Sequence, residues 1–202
     1  MTEQLAHGEK GPLNQTQKSK QRVIAGISWD AREDKVGVVG RVLKTDSQHD
    51  LDLNCYIYNK AGEFVDFVGA EAQDSMDESG KIYHSGDDMS GEGDGDDERI
   101  AVELAELPYD IHAIVFLVEI CSNHTFSDIE LPTARIADSF TEKDLLSIVI
   151  NHEGSADKTA FVMASIYRDN ESSSGWTLNH IADYPDISKI EDWGSYLSQY
   201  SR

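Results

Sequence analysis

Ile111-His112-Ala113-Ile114-Val115-Phe116-Leu117-Val118 is apolar at odd and even positions alike from Ala113 onward. Side chains alternate between the two faces of a strand, so a strand apolar on both faces must be covered on both, which predicts a central position in a sheet. Outward from it, the chain is a series of short runs rich in Val, Ile and Tyr, separated by turn residues. Candidate strands are Val23 to Ser28, Val36 to Leu43, Leu51 to Tyr58, Glu63 to Val68 and Arg99 to Leu104. The series continues with Ile111 to Cys121, Thr133 to Asp138, Leu145 to Ile150, Thr159 to Tyr167 and Trp176 to Ile181. No helical period is sustained until Ile187, Ile190, Trp193 and Leu197, where Asp186 is placed to cap a helix N-terminus. The pattern predicts a mainly β protein, a β-sandwich of about ten short strands with a short C-terminal helix.

A chain of 202 residues with 39% hydrophobic content supports one sizeable core. Residues 1–22 hold four basic and two acidic side chains and read as a flexible N-terminal tail. Residues 23–183 then form the sandwich domain and 184–202 a helix packed on it. The net charge of -21 argues against nucleic acid as a partner, because such binding draws its affinity from Lys and Arg displacing counterions. An anionic membrane would also repel the chain unless cations bridged the two. The opening residues have no apolar signal segment, and no later run is long enough to span a membrane, so the expected location is cytoplasmic. Cys55 and Cys121 lie in strand-like apolar runs and read as small core hydrophobes rather than a disulfide. No His pairs with another His or Cys at zinc-type spacing, and His124, His152 and His180 read as exposed.

The chemistry concentrates in residues 71–98, which hold eleven acidic side chains and one Lys, a local charge of -10. The run closes on His84-Ser85-Gly86-Asp87-Asp88-Met89-Ser90-Gly91-Glu92-Gly93-Asp94-Gly95-Asp96-Asp97-Glu98. Glycines let the backbone turn tightly enough to aim several oxygens inward, and Ca²⁺ takes six to eight of them. Two carboxylates about 4 Å apart repel by about 4 kcal/mol at an effective dielectric of 20, so an ordered loop of this kind needs a counterion. A solvated acid run is the alternative, but interspersed Gly and direct entry into a strand favour a cation site. Asp50, Asp52 and Asn54 share a strand face and offer a second set of oxygens, or simply a polar outer face. The loop is not an EF-hand: Met89 and Gly91 stand where side-chain ligands belong, and Glu92 replaces the required Gly.

Gly26-Ile27-Ser28-Trp29-Asp30-Ala31-Arg32, Asp50-Leu51-Asp52, the block from His84 to Glu98, Ile114-Val115-Phe116, and Thr159-Ala160-Phe161 through Ile166-Tyr167-Arg168 occur in this order. Together they resemble the signature segments of TerD-like tellurium-resistance and stress proteins, over about residues 23–183. The resemblance implies a β-sandwich that binds Ca²⁺, with ligands among Asp50, Asp52, Asp87, Asp88, Asp94, Asp96, Asp97 and Glu98. Asp88 stands where the family usually has Asn, Ser90 replaces the usual Thr, and the family's Lys-Gly start is not evident.

The functional expectation is a calcium-binding stress-response module associated with tellurium resistance. It would act through calcium-dependent contact with other proteins of a stress-resistance system, at the inner membrane surface or away from it. The alternative is a constitutively calcium-loaded structural protein of such an assembly. An acidic hydrolase is the weaker reading, because no nucleophile elbow, P-loop or dinucleotide fingerprint is present. The expectation is therefore no enzymatic activity.

Overall fold

A computed structural model describes residues 5–13, 21–30, 49–86, 95–150, 155 and 157–202. Eleven strands form two antiparallel sheets among these residues. The strands are β1 (Lys10–Pro12), β2 (Arg22–Ser28), β3 (Leu51–Tyr58), β4 (Phe64–Val68), β5 (Ile82–His84), β6 (Glu98–Glu103), β7 (Ala113–Ile120), β8 (Thr133–Asp138), β9 (Asp144–Val149), β10 (Ala160–Arg168) and β11 (Trp176–Asp183). One sheet runs β1-β11-β10-β7-β3-β4 and the other β5-β6-β2-β8-β9.

The mainly β sandwich expected from the sequence is the observed fold. β7 sits between β10 and β3, with apolar side chains buried on both faces, as its pattern required. Val23, Ala25 and Ile27 of β2 meet Leu51, Leu53 and Ile57 of β3, together with Ile114, Phe116 and Val118 of β7, in the core between the sheets. The opposite face of the six-stranded sheet, including Tyr58, Val115, Leu117 and Val162, is covered by Leu197, Trp193, Tyr196 and Tyr200. That cover is a short helix, α1 (Trp193–Leu197), whose N-cap is Asp192: its carboxylate accepts the Ser195 N–H at 2.7 Å. Asp186, expected as the cap, instead caps a single 3₁₀ turn, Ile187–Lys189. No helix of the described residues is long and apolar enough to cross a membrane.

Several placements differ from the sequence reading. Residues 10–12, within the segment expected to be a tail, pair with β11, and Leu13 behind them is buried. β5 lies inside the acidic run, where alternation over three residues is too brief to read. His180, expected to be exposed, is buried in β11 with Nδ1 2.9 Å from the Leu5 carbonyl. The candidate strand Val36 to Leu43 lies outside the described residues. Both cysteines are free; Cys55 is in the core as expected, whereas Cys121 stands exposed beyond the end of β7.

Candidate metal centre

The consecutive carboxylates Asp96, Asp97 and Glu98 lead into β6 and fan out to three different parts of the sandwich. Ile27 is directly opposite Glu98 across the β2–β6 pair, and Ile27 faces the core, so Glu98 faces it too. Its side chain is fully buried. Oε2 accepts the Leu53 N–H at 2.7 Å, tying the five-stranded sheet to the six-stranded one. β4 pairs with β3 only from Cys55 onward, so Leu53 lies beyond the last described rung of that ladder.

His84, also inward-facing, places Nε2 3.2 Å from Glu98 Oε2. Its Nδ1 accepts the Gly86 N–H at 3.0 Å, so in a neutral ring the proton sits on Nε2, towards the carboxylate. Asp97 docks at the end of β2: its N–H donates to the Ile27 carbonyl at 2.8 Å, and its Oδ2 accepts the Trp29 N–H at 2.9 Å. Trp29 is itself buried.

Asp96 turns to the outer face of the five-stranded sheet. Gly26 of β2 is flanked in register by Arg99 of β6 and Arg135 of β8, so both guanidinium groups rise beside it on one face. Asp96 Oδ1 accepts Arg135 Nε at 2.7 Å and Oδ2 accepts the second Arg135 nitrogen at 2.8 Å, a bidentate fork. Arg99 Nε lies 2.8 Å from Oδ2. Hydrogen bonding to Asp96 is the largest cause that holds Arg135 above its ordinary pKa, and burial opposes it. A Cβ on residue 26 would come within 2.5 Å of the Asp96 carboxylate, so glycine is required there.

The Asp50–Asp52 pair is elsewhere. Asp52 lies opposite Glu119 in the β3–β7 pair, on the outer face of the six-stranded sheet, where its Oδ2 accepts the Cys121 thiol at 2.9 Å. Burial is the main cause that raises the Cys121 pKa, with the bond to Asp52 and the charges of Asp52, Asp50 and Glu119 adding to it. Such a thiol is a poor source of thiolate at neutral pH. Asp50 takes part through its carbonyl, which accepts the Cys121 N–H at 2.9 Å. Asp52 and Asn54 do share a face, and Asn54 donates to Glu119 at 3.1 Å. They are not turned towards Glu98, whose contact on β3 is the Leu53 backbone.

Asp87, Asp88 and Asp94 lie outside the described residues. Among the described residues, no three His, Cys, Asp or Glu side chains are gathered closely enough to hold a metal ion. The described donors nevertheless suit a hard cation in kind: Asp97 and Glu98 bring carboxylate oxygens, and Gly95 (φ +104°) gives the turn before them. Their number falls short of a calcium shell, so any such site draws on further oxygens.

Sequence reading quoted His84, Gly26 and Trp29 only within longer segments and gave no role to them or to Arg99 and Arg135. Only His84 left a trace, as a polar residue at an inward position of the alternating Ile82-Tyr83-His84.

The family model described as the TerD domain matches residues 1–184, a range that includes β1. The chain is 32% identical to the tellurium resistance protein TerZ of Serratia marcescens, over 77% of each chain. It is 28% identical to general stress protein 16U of Bacillus subtilis (strain 168), over 84% of this chain and 86% of the relative. The crystal structure of a homologue of telluride resistance protein (TerD) from Streptomyces coelicolor A3(2) superposes with a TM-score of 0.64 at 21% identity, covering 88% of this chain and 94% of that one. At that identity the likeness speaks for the fold alone.

Proposed function

Since the chain belongs to the TerD domain family of tellurium-resistance and stress-response proteins, we propose that it is a calcium-binding module without enzymatic activity, acting in the cytoplasm through calcium-dependent contacts. The observation that carries the reading is Glu98, a fully buried carboxylate at the end of a run of charge -10, with a backbone N–H and a histidine among its neighbours. Burying a carboxylate costs several kcal/mol unless charge or strong hydrogen bonds compensate. Bound Ca²⁺ supplies the positive charge that this run lacks.

Asp97 and Glu98 would hold the ion from the strand side, with Asp87, Asp88 and Asp94 offering oxygens from the loop before it. Asp50 and Asp52 would serve only by a rearrangement that brings the start of β3 towards Glu98. Leu53 N–H orients Glu98, and Trp29 N–H orients Asp97. Calcium binding would then present or withdraw a surface for a protein of the same resistance system, or for an anionic membrane bridged by the cation. Net charge -21 supports no nucleic-acid partner.

One feature favours a second reading, constitutive structural calcium. Glu98 and Asp97 already bind the β3 backbone and the end of β2, so an ion there would act as a clasp between the sheets. Calorimetric Ca²⁺ titration of chelator-treated protein, with Mg²⁺ competition, tests both. Binding in the range of about 10⁻⁷ to 10⁻⁵ M is expected of a responsive module, and tighter binding of a clasp. Absence of binding heat together with an unchanged melting temperature would remove calcium from the account.

A further inference from the structure

We propose that Asp96 is a positioning residue rather than a calcium ligand, and that Arg135 and Arg99 use it to fix the exit of the acidic loop. The inference rests on the calcium reading above and assigns the loop its anchor. Its geometry is specific. Asp96 is held by two guanidinium groups, and its side chain is 5% exposed. Three guanidinium N–H groups take its two oxygens at 2.7 to 2.8 Å.

A ligand in that state would have to break a bidentate ion pair before reaching an ion, whereas a latch works because the pair stays closed. The latch also has a built seat. Gly26 leaves room for the carboxylate, and the arginines on either side of it come from neighbouring strands in register. Arg135 is braced in turn by Asp144 Oδ1 at 3.0 Å and Glu142 Oε2 at 3.0 Å. With Asp96 pinned to the outer face, the next two residues must run along the end of β2. There the Asp97 N–H meets the Ile27 carbonyl and Glu98 turns inward. The arginines thus set the direction of two proposed ligands without approaching the ion.

The two roles for Asp96 predict opposite signs for one substitution. If Asp96 is a ligand, Arg135 competes for it, and Arg135→Met tightens calcium binding. If Asp96 is a latch, Arg135→Met weakens it, by about tenfold or more, as loss of outer-shell support does at metal sites. The experiment measures Ca²⁺ affinity by calorimetry for wild type, Arg135→Met, Asp96→Asn and the double variant. Circular dichroism and melting in chelator report the apo fold separately.

The latch requires that both single variants weaken binding and that the double variant weakens it no further than either. Glu171→Gln, at an exposed acid of the β10–β11 turn outside the latch, should leave affinity within about twofold. Arg135→Lys keeps charge but cannot form the fork, and it serves if the Met variant does not fold; it should fall between wild type and Asp96→Asn. Tighter binding in Arg135→Met, or unchanged binding there with loss in Asp96→Asn, overturns the latch and leaves the calcium site standing. A wild type that binds no calcium overturns both.

Discussion

Asp77 and Glu98 are buried carboxylates of the same acidic run, and they are held in opposite ways. Asp77 closes on itself: Oδ1 accepts the N–H groups of Lys81 and Ile82 at 2.8 Å each, and Oδ2 accepts the Ser79 N–H at 3.1 Å and the Ser79 hydroxyl at 2.5 Å. Every one of these donors is within five residues. Glu98 reaches instead to Leu53 on the other sheet and to His84 on the neighbouring strand, β5. The first is a local turn that needs no ion. The second is a tertiary pin whose charge is compensated only by what the folded protein brings to it. One stretch of like composition thus contains a structural turn and the edge of a candidate binding site, and the difference lies in the distance of the partners.

The largest effect that tests this contrast belongs to the turn. Asp77→Ala leaves the buried Ile82 N–H and three part-buried donors without their acceptor, and should cost about 3 kcal/mol of unfolding free energy. Denaturant melts should give the same loss in chelator and in calcium. A loss confined to calcium would place Asp77 with the metal site and erase the distinction.

Glu98→Gln is the converse. The amide keeps an oxygen for the Leu53 N–H and removes a buried charge that chelator leaves without its ion, so stability in chelator should rise. The stabilisation by calcium, about 2.7 kcal/mol at a hundred times Kd, should vanish. Equal behaviour of wild type and variant across calcium concentrations would make Glu98 one more buried cap. Gly26→Ala comes next. Its Cβ strikes the Asp96 carboxylate, and an overpacked site of this kind costs about 1 to 3 kcal/mol. That cost should appear in chelator, with calcium affinity falling alongside it if the latch holds.

What could be read from sequence follows the same division between local and distant. β3 and β8 have the predicted bounds, Leu51–Tyr58 and Thr133–Asp138, because alternation and turn residues are local signals. β1 escaped because three residues ending in Pro12 carry no pattern; only their pairing with β11 makes them a strand. The acidic run was legible from composition, and Asp96, Asp97 and Glu98 stand consecutively in it. Their division among an arginine fork, a tryptophan N–H and the opposite sheet was not. Arg135 is an ordinary outward residue of β8 until register sets it beside Gly26. Asp52 illustrates the reverse case, since its face was predicted correctly, but which sheet surface that face lined depended on the other sheet.

The smallest effect concerns a third kind of carboxylate, neither locally closed nor part of the acidic run. Glu119 on β7 is half-buried beneath α1, its Oε1 accepting Trp193 Nε1 at 2.9 Å and its Oε2 accepting Asn54 at 3.1 Å. Burial raises its pKa; these two bonds oppose the shift and the Asp52 charge adds to it. A carboxylate with a raised folded pKa holds its proton more tightly in the folded state, so its favourable contribution is complete below the unfolded value, about 4.3. That contribution is lost as pH rises through the folded value. Glu119→Gln removes the titration, so the variant should gain stability relative to wild type between pH 4 and pH 7, in chelator and calcium alike. Denaturant midpoints at the two pH values measure it. A constant gap would mean that the two neutral donors fully offset burial. A gap that closed only in calcium would mean that the outer face of the six-stranded sheet, through neighbouring Asp52, feels the ion after all.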